Sequence, residues 1–164
     1  MKKLAEFIST LFYFGNSPVV PGTVGSLVAL IIIFPLVWVP SIVLCFFVTV
    51  FVTVLGFIFI PFYLQGKTDD LQEIVIDEAA GLYLTILFAM ITSKLLQIKP
   101  NYYIIFILCF FLFRLFDITK PWIIGYFDRN LKGAVGIMMD DLIAGIFAGF
   151  SMGIMLLIYK YYIQ

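Results

Sequence analysis

From residue 23 onward the chain alternates long apolar runs with short polar breaks, and the runs have the lengths of membrane-crossing helices. Residues 23–39 form a first span of marginal length, bent or ended by Pro35 and Pro40. Residues 41–64 form a second span, and the Pro40-Ser41 break makes the two a helical hairpin. Residues 79–98 form a third, closed by Lys94, Lys99 and Pro100, and residues 102–116 a short aromatic fourth with Arg114 in its last turn. Residues 142–160 form the fifth. Ahead of them, residues 2–14 are mildly amphipathic, with Lys2, Lys3 and Glu6 at one end, and predict a short interfacial helix. Residues 15–26 (GNSPVVPGTVGS) read as a loop, with Pro21-Gly22 as its turn and Thr23 as the N-cap of the next helix. The predicted fold is an all-α polytopic membrane bundle. It has about five transmembrane helices and one interfacial helix, in a single domain over residues 1–164.

Composition sharpens this picture. The chain is 63% hydrophobic and 12% charged, where a soluble domain carries roughly 25% charged residues. Ten basic and ten acidic residues cancel, so no nucleic-acid partner is expected. No basic segment with a short apolar core and a small-residue cleavage site opens the chain, so no removable signal peptide is expected. Cys45 and Cys109 both lie inside apolar runs, where they read as packing residues. The chain has no histidine. That excludes phosphohistidine and Ser-His chemistry and disfavours zinc or iron. Carboxylates are the ligands that remain, and they suit Mg²⁺ or a similar hard cation.

The charges are unevenly placed. Eight of the twenty charged residues fall between Phe113 and Gly145. On an alternating five-span path, the N-terminus, the 65–78 loop and the 117–141 segment share one side of the membrane. All ten acids lie there, with seven of the ten basic residues, leaving Lys94, Lys99 and Lys160 opposite. The positive-inside rule makes the crowded side cytoplasmic.

Three acidic groups sit at crossings on that side: Asp77-Glu78 at the start of span three, Asp117 at the end of span four, Asp140-Asp141 at the start of span five. Carboxylates at helix N-termini are favoured by the dipole, so each pair has a capping interpretation. Five such acids together repel one another near low dielectric, and a divalent cation among them resolves the repulsion. Arg114, Asp117 and Lys120 recur at threes and share one helix face, either as a local ion-pair network or as part of a site. Arg129 and Lys132 lie in a loop rich in aromatics and glycine (Tyr126, Phe127, Gly133, Gly136). Basic groups beside metal-binding carboxylates are what an anionic phosphate ester requires.

Four segments carry a resemblance: FGNSPVVPGTVGSL (14–27), IVIDEAAG (74–81), FRLFDITKPW (113–122) and FDRNLKGAVGIMMDDLIAG (127–145). In their order and spacing they resemble the phosphatidylglycerophosphatase A family over roughly residues 10–150. Departures fall at Gly15-Asn16-Ser17, Ile124 and Ala134, and none removes a carboxylate or a basic group. The resemblance implies a multi-pass, Mg²⁺-dependent enzyme of the bacterial inner membrane. It would take its phospholipid substrate from the cytoplasmic leaflet and convert phosphatidylglycerol phosphate to phosphatidylglycerol and phosphate during phospholipid biosynthesis. On that basis Asp77, Glu78, Asp117, Asp140 and Asp141 are the expected catalytic and metal-binding residues. Arg114, Lys120, Arg129, Thr23 and Ser26 are the expected phosphate-binding residues. The competing classes are a small transporter, against which no inverted repeat is found, and another carboxylate- and metal-dependent phospholipid enzyme. A membrane subunit without chemistry is the third.

Overall fold

The computed structural model describes residues 1–65, 71–121 and 123–163, the side chains of 127–129 and 163 excepted. Seven α-helices form among them, with no strand: α1 (Lys2–Ser9), α2 (Pro21–Ile33), α3 (Ile42–Leu64), α4 (Ile76–Leu95), α5 (Tyr102–Thr119), α6 (Ile123–Asn130) and α7 (Gly133–Ile163). Four of these, α3, α4, α5 and α7, are long and apolar enough to cross a membrane. The predicted first span is present as α2 and a 3₁₀ turn, Phe34–Val37, that runs on from it. Thirteen α and four 3₁₀ residues rise about 27 Å. That falls just short of a ~30 Å hydrocarbon core, and Pro35 inside the turn is why the helix tightens and stops.

The most apolar helix is not the most buried. In its most apolar stretch α3 is 17% buried, while the more polar α4 is 72% buried. In lipid the hydrophobic effect does not sort helices inward, and close packing of small residues does. Helix α4 carries Ala79, Ala80, Gly81, Thr85, Ala89 and Ser93 on its buried surface. Its largest contact is with α7, which presents Gly145, Gly149 and Gly153 at four-residue spacing. A Cβ on Gly145 would run into the Gly81 backbone, and one on Gly149 would meet the Phe88 side chain at 2.7–2.9 Å. Thr85 ties the crossing, its hydroxyl lying 2.9 Å from Gly81 O and 3.1 Å from Gly145 O. Helix α2 is fastened to α4 by Tyr83, which donates to Ala29 O at 3.0 Å.

Three boundaries differ from expectation. Helix α2 starts at Pro21, so Thr23 is its third residue and not its N-cap; Val20, in the left-handed region, precedes it. Proline suits this first position because its missing N–H would have no intrahelical partner there. Residues 123–130 form α6 instead of a loop. Helix α7 begins at Gly133, so Asp140 and Asp141 lie two turns inside it. The dipole effect fades within the first turn, which removes the capping interpretation for that pair.

The two ends of the bundle differ in chemistry. At one end Phe34 packs on Tyr103 and Phe106, and Lys160 donates to Leu96 O at 2.8 Å. At the other, α1 and the 14–16 turn pack against 73–75, where the Val75 N–H donates to Ser9 O at 3.0 Å. The acids of α4, α5 and α7 gather at this second end.

Candidate active site

Four helices deliver the site. Asp77 and Glu78 come from the first turn of α4, Arg114 and Asp117 from the last two turns of α5, and Asp140 and Asp141 from α7. The start of α2 closes the fourth side. Gly22 leaves room for them there: a Cβ at this position would displace Glu78 Oε1 and lie 3.2–3.3 Å from the Arg114 guanidinium.

Arg114 organises the wall. Its Nη1 donates to Asp117 Oδ2 at 2.5 Å and to Ser26 Oγ at 3.4 Å, with Glu78 Oε1 at 3.9 Å. Its Nη2 donates to Thr23 Oγ1 at 3.3 Å. Ser26 in turn donates to Gly22 O at 2.9 Å, so α2 and α5 are joined through this one side chain. Lys120 leaves the helix as the left-handed cap of α5 and reaches Asp140 Oδ2 at 2.7 Å. The α5 face thus supplies one cation inward, to its own Asp117, and one across to α7.

The acids are buried: Asp77 is 8% exposed, Glu78 9%, Asp140 7% and Asp141 4%. Asp77 Oδ1, Glu78 Oε2 and Asp141 Oδ2 find no hydrogen-bond partner. One carboxylate oxygen from each of these three residues lies within 4.8 Å of the other two. Unsatisfied buried carboxylate oxygens are costly, and three carboxylates that each bring an oxygen this close offer the donor set a hard divalent cation takes. The residues therefore fit Mg²⁺, with Asp77, Glu78 and Asp141 as the nearest ligands.

All of this faces one cavity of about 870 Å³. Asp77, Glu78, Arg114, Asp117, Lys120, Asp140, Asp141 and Thr23 line it. Ser26 does not: it is fully buried behind Arg114 and positions the guanidinium. The side chain of Arg129 lies outside the described residues. Gly22, in the turn ahead of Thr23, and Lys132, which the sequence offers as a basic group near the carboxylates, both line the cavity. For Gly22 the signal was the glycine directly after Pro21 at a helix start. For Lys132 it was a cation two turns before the aspartate pair.

Comparison with known proteins identifies the family. The family profile described as "Phosphatidylglycerophosphatase A" matches residues 7–156. The chain is 36% identical over 138 residues to the Escherichia coli (strain K12) protein "Phosphatidylglycerophosphatase A", covering 80% of this chain and 72% of that one. It is 34% identical over 152 residues to a Bacteroides thetaiotaomicron protein named "Putative phosphatidylinositol-3-phosphatase", covering 88% of this chain and 89% of that one. A 39-residue stretch is 56% identical to the Haemophilus influenzae "Phosphatidylglycerophosphatase A", 24% of each chain. No solved structure matches. A profile matching nearly the whole helical bundle, and a relative similar over most of its own length, make this chain a member of the phosphatidylglycerophosphatase A family.

Proposed function

We propose that the chain hydrolyses the terminal phosphomonoester of phosphatidylglycerol phosphate, with Mg²⁺ as cofactor, in phospholipid biosynthesis. The observation that carries this reading is the convergence of the Asp77, Glu78 and Asp141 carboxylates, each with an unsatisfied buried oxygen, in the lining of the cavity that Arg114 and Lys120 share. Asp77, Glu78 and Asp141 would hold the ion, with Asp117 and Asp140 beside them. Bound there, Mg²⁺ would neutralise phosphoryl charge and lower the barrier to attack by water. Water attacks phosphorus, the bond from phosphorus to the glycerol oxygen breaks, and the proton given up by water is matched by one returned to the leaving alkoxide. The chain's own part is orientation and charge. Arg114, held on both sides by Asp117 and the α2 hydroxyls, presents a fixed fork to phosphate oxygens. In this reading the head group reaches the site at the membrane surface while the acyl chains remain in lipid.

Two relatives carry names for different lipids, and the two named lipids share a head-group pattern. Each has a phosphodiester and a phosphomonoester on carbons one and three of the head group, with a hydroxyl-bearing carbon between them. We assign that pattern as the substrate class. The test is phosphate release by the purified protein from phosphatidylglycerol phosphate, phosphatidylinositol 3-phosphate and phosphatidic acid, each with Mg²⁺ and with EDTA. Release that needs Mg²⁺ and favours phosphatidylglycerol phosphate is expected. No release from folded protein supplied with Mg²⁺ sinks the assignment.

The site faces the cytoplasm of a bacterial inner membrane in this reading. Lys2, Lys3, Arg114, Lys120 and Lys132 lie at its end of the bundle and Lys94, Lys99 and Lys160 at the other. An impermeant thiol reagent added to intact spheroplasts should label Lys99→Cys and spare Lys3→Cys, the native Cys45 and Cys109 being buried. The reverse pattern inverts the orientation.

A further inference from the structure

We infer that Lys132 is the residue that reads the internal phosphodiester of the substrate, a second anion subsite at the mouth of the cavity. The inference rests on the proposed substrate class and goes beyond it by assigning the diester a binding residue. Three observations carry it. Lys132 lines the same cavity as the carboxylates and Arg114. Among the described residues it has no ion-pair or hydrogen-bond partner for its ammonium, whereas the two deeper cations are engaged, Arg114 with Asp117 and Lys120 with Asp140. It is solvent-exposed where Asp140 and Asp141 are buried, so it marks the entrance and they mark the floor.

The spacing suits two anions held at once. From Gly133 to Asp140, α7 rises about 10 Å. A lysine's flexible four-carbon stem covers roughly half of that. The bridge between the phosphomonoester and the phosphodiester, three carbons and two ester oxygens, covers the rest. With the monoester at the acidic floor, the diester therefore arrives beside the one described cavity cation that has no carboxylate of its own. Phosphatidic acid has no second phosphate and gains nothing from this subsite. A lysine that only meets bilayer phosphates would not distinguish soluble head groups.

The test is equilibrium binding, independent of turnover. Two soluble ligands are titrated calorimetrically into detergent-solubilised protein with Mg²⁺. One is the phosphonate analogue of glycerophosphoglycerol phosphate and the other is the phosphonate analogue of glycerol 3-phosphate, and neither can be hydrolysed. Wild type should prefer the first, and Lys132→Gln should lower that preference about tenfold, the order expected for one charge-assisted contact, with the second ligand unaffected. Lys132→Arg should keep the preference. Absence of a preference in wild type, retention of it in Lys132→Gln, or equal weakening of both ligands each overturns the inference. Failure of the proposed activity would show separately, as absence of phosphate release by wild type.

Discussion

Asparagine in place of Asp141 is expected to reduce phosphate release by on the order of 10³-fold while making the metal-free protein more resistant to heat. The two effects have one origin. Asp141 is 4% exposed, and its electrostatic neighbours are Asp117, Asp77 and Asp140. No cation contacts it directly among the described residues, since Arg114 is drawn to Asp117 and Lys120 to Asp140. Without metal, its charge is a source of repulsion next to a low-dielectric core. An amide of the same shape removes the repulsion and a donor oxygen together. The wild type should gain thermal stability on adding Mg²⁺, by about 2.7 kcal/mol at a hundredfold excess over Kd, and the variant should lose most of that gain. Differential scanning fluorimetry of both proteins, with Mg²⁺ and with EDTA, reads this directly. A variant that still gains stability from Mg²⁺ and still releases phosphate removes Asp141 from the metal site. A metal-free variant less stable than wild type would show that repulsion is not the governing force there.

The acids were legible in the sequence because charge stands out in an apolar chain. Asp77, Glu78, Asp117, Asp140 and Asp141 were read as one cluster from span counting alone, and the fold brings them to one cavity. The geometry around them was less legible, for definable reasons. Gly133, Ala134 and Gly136 look like loop residues, so α7 was expected to start about nine residues too late. The dipole was then credited to Asp140 and Asp141, which the longer helix denies them. Gly145, Gly149 and Gly153 vanish inside an apolar run, although they set the distance between α4 and α7 and hence between Asp77-Glu78 and Asp140-Asp141. Hydropathy does not order the helices by burial, because α4 is central through small residues rather than apolar ones. Thr23 was placed by its residue type at a cap, where Pro21 had the stronger claim. The roles of Thr23 and Ser26 became visible only when Arg114, about 90 residues away in the chain, was found between them.

Removing Arg114 should move stability in the opposite direction from removing Asp141, although both belong to the same cluster. Its side chain is 13% exposed and serves Asp117, Glu78, Thr23 and Ser26 at once. Arg114→Met deletes the counter-charge and leaves the buried Glu78 and the partly buried Asp117 without it. Breaking a buried ion pair from one side typically costs about 3–5 kcal/mol. It also frees the first turn of α2, whose Gly22 lies against the guanidinium. Phosphate release should fall by on the order of 10²–10³-fold, the usual effect of losing one fixed charge at a developing anion. Arg114→Lys should recover part of the stability and little of the activity, because an ammonium cannot present a fork to Asp117 and the α2 hydroxyls together. The decisive variant pairs Arg114→Met with Asp117→Asn. Neutralising the carboxylate that Arg114 holds most closely should restore most of the lost stability without restoring activity. That outcome separates the two duties of Arg114, charge balance in the empty site and phosphate orientation in the filled one. Thermal unfolding and phosphate release on the four proteins measure it. If the double variant is as unstable as Arg114→Met alone, Arg114 stabilises the bundle through its contacts with α2, and charge balance is not the reason this residue sits where four helices meet.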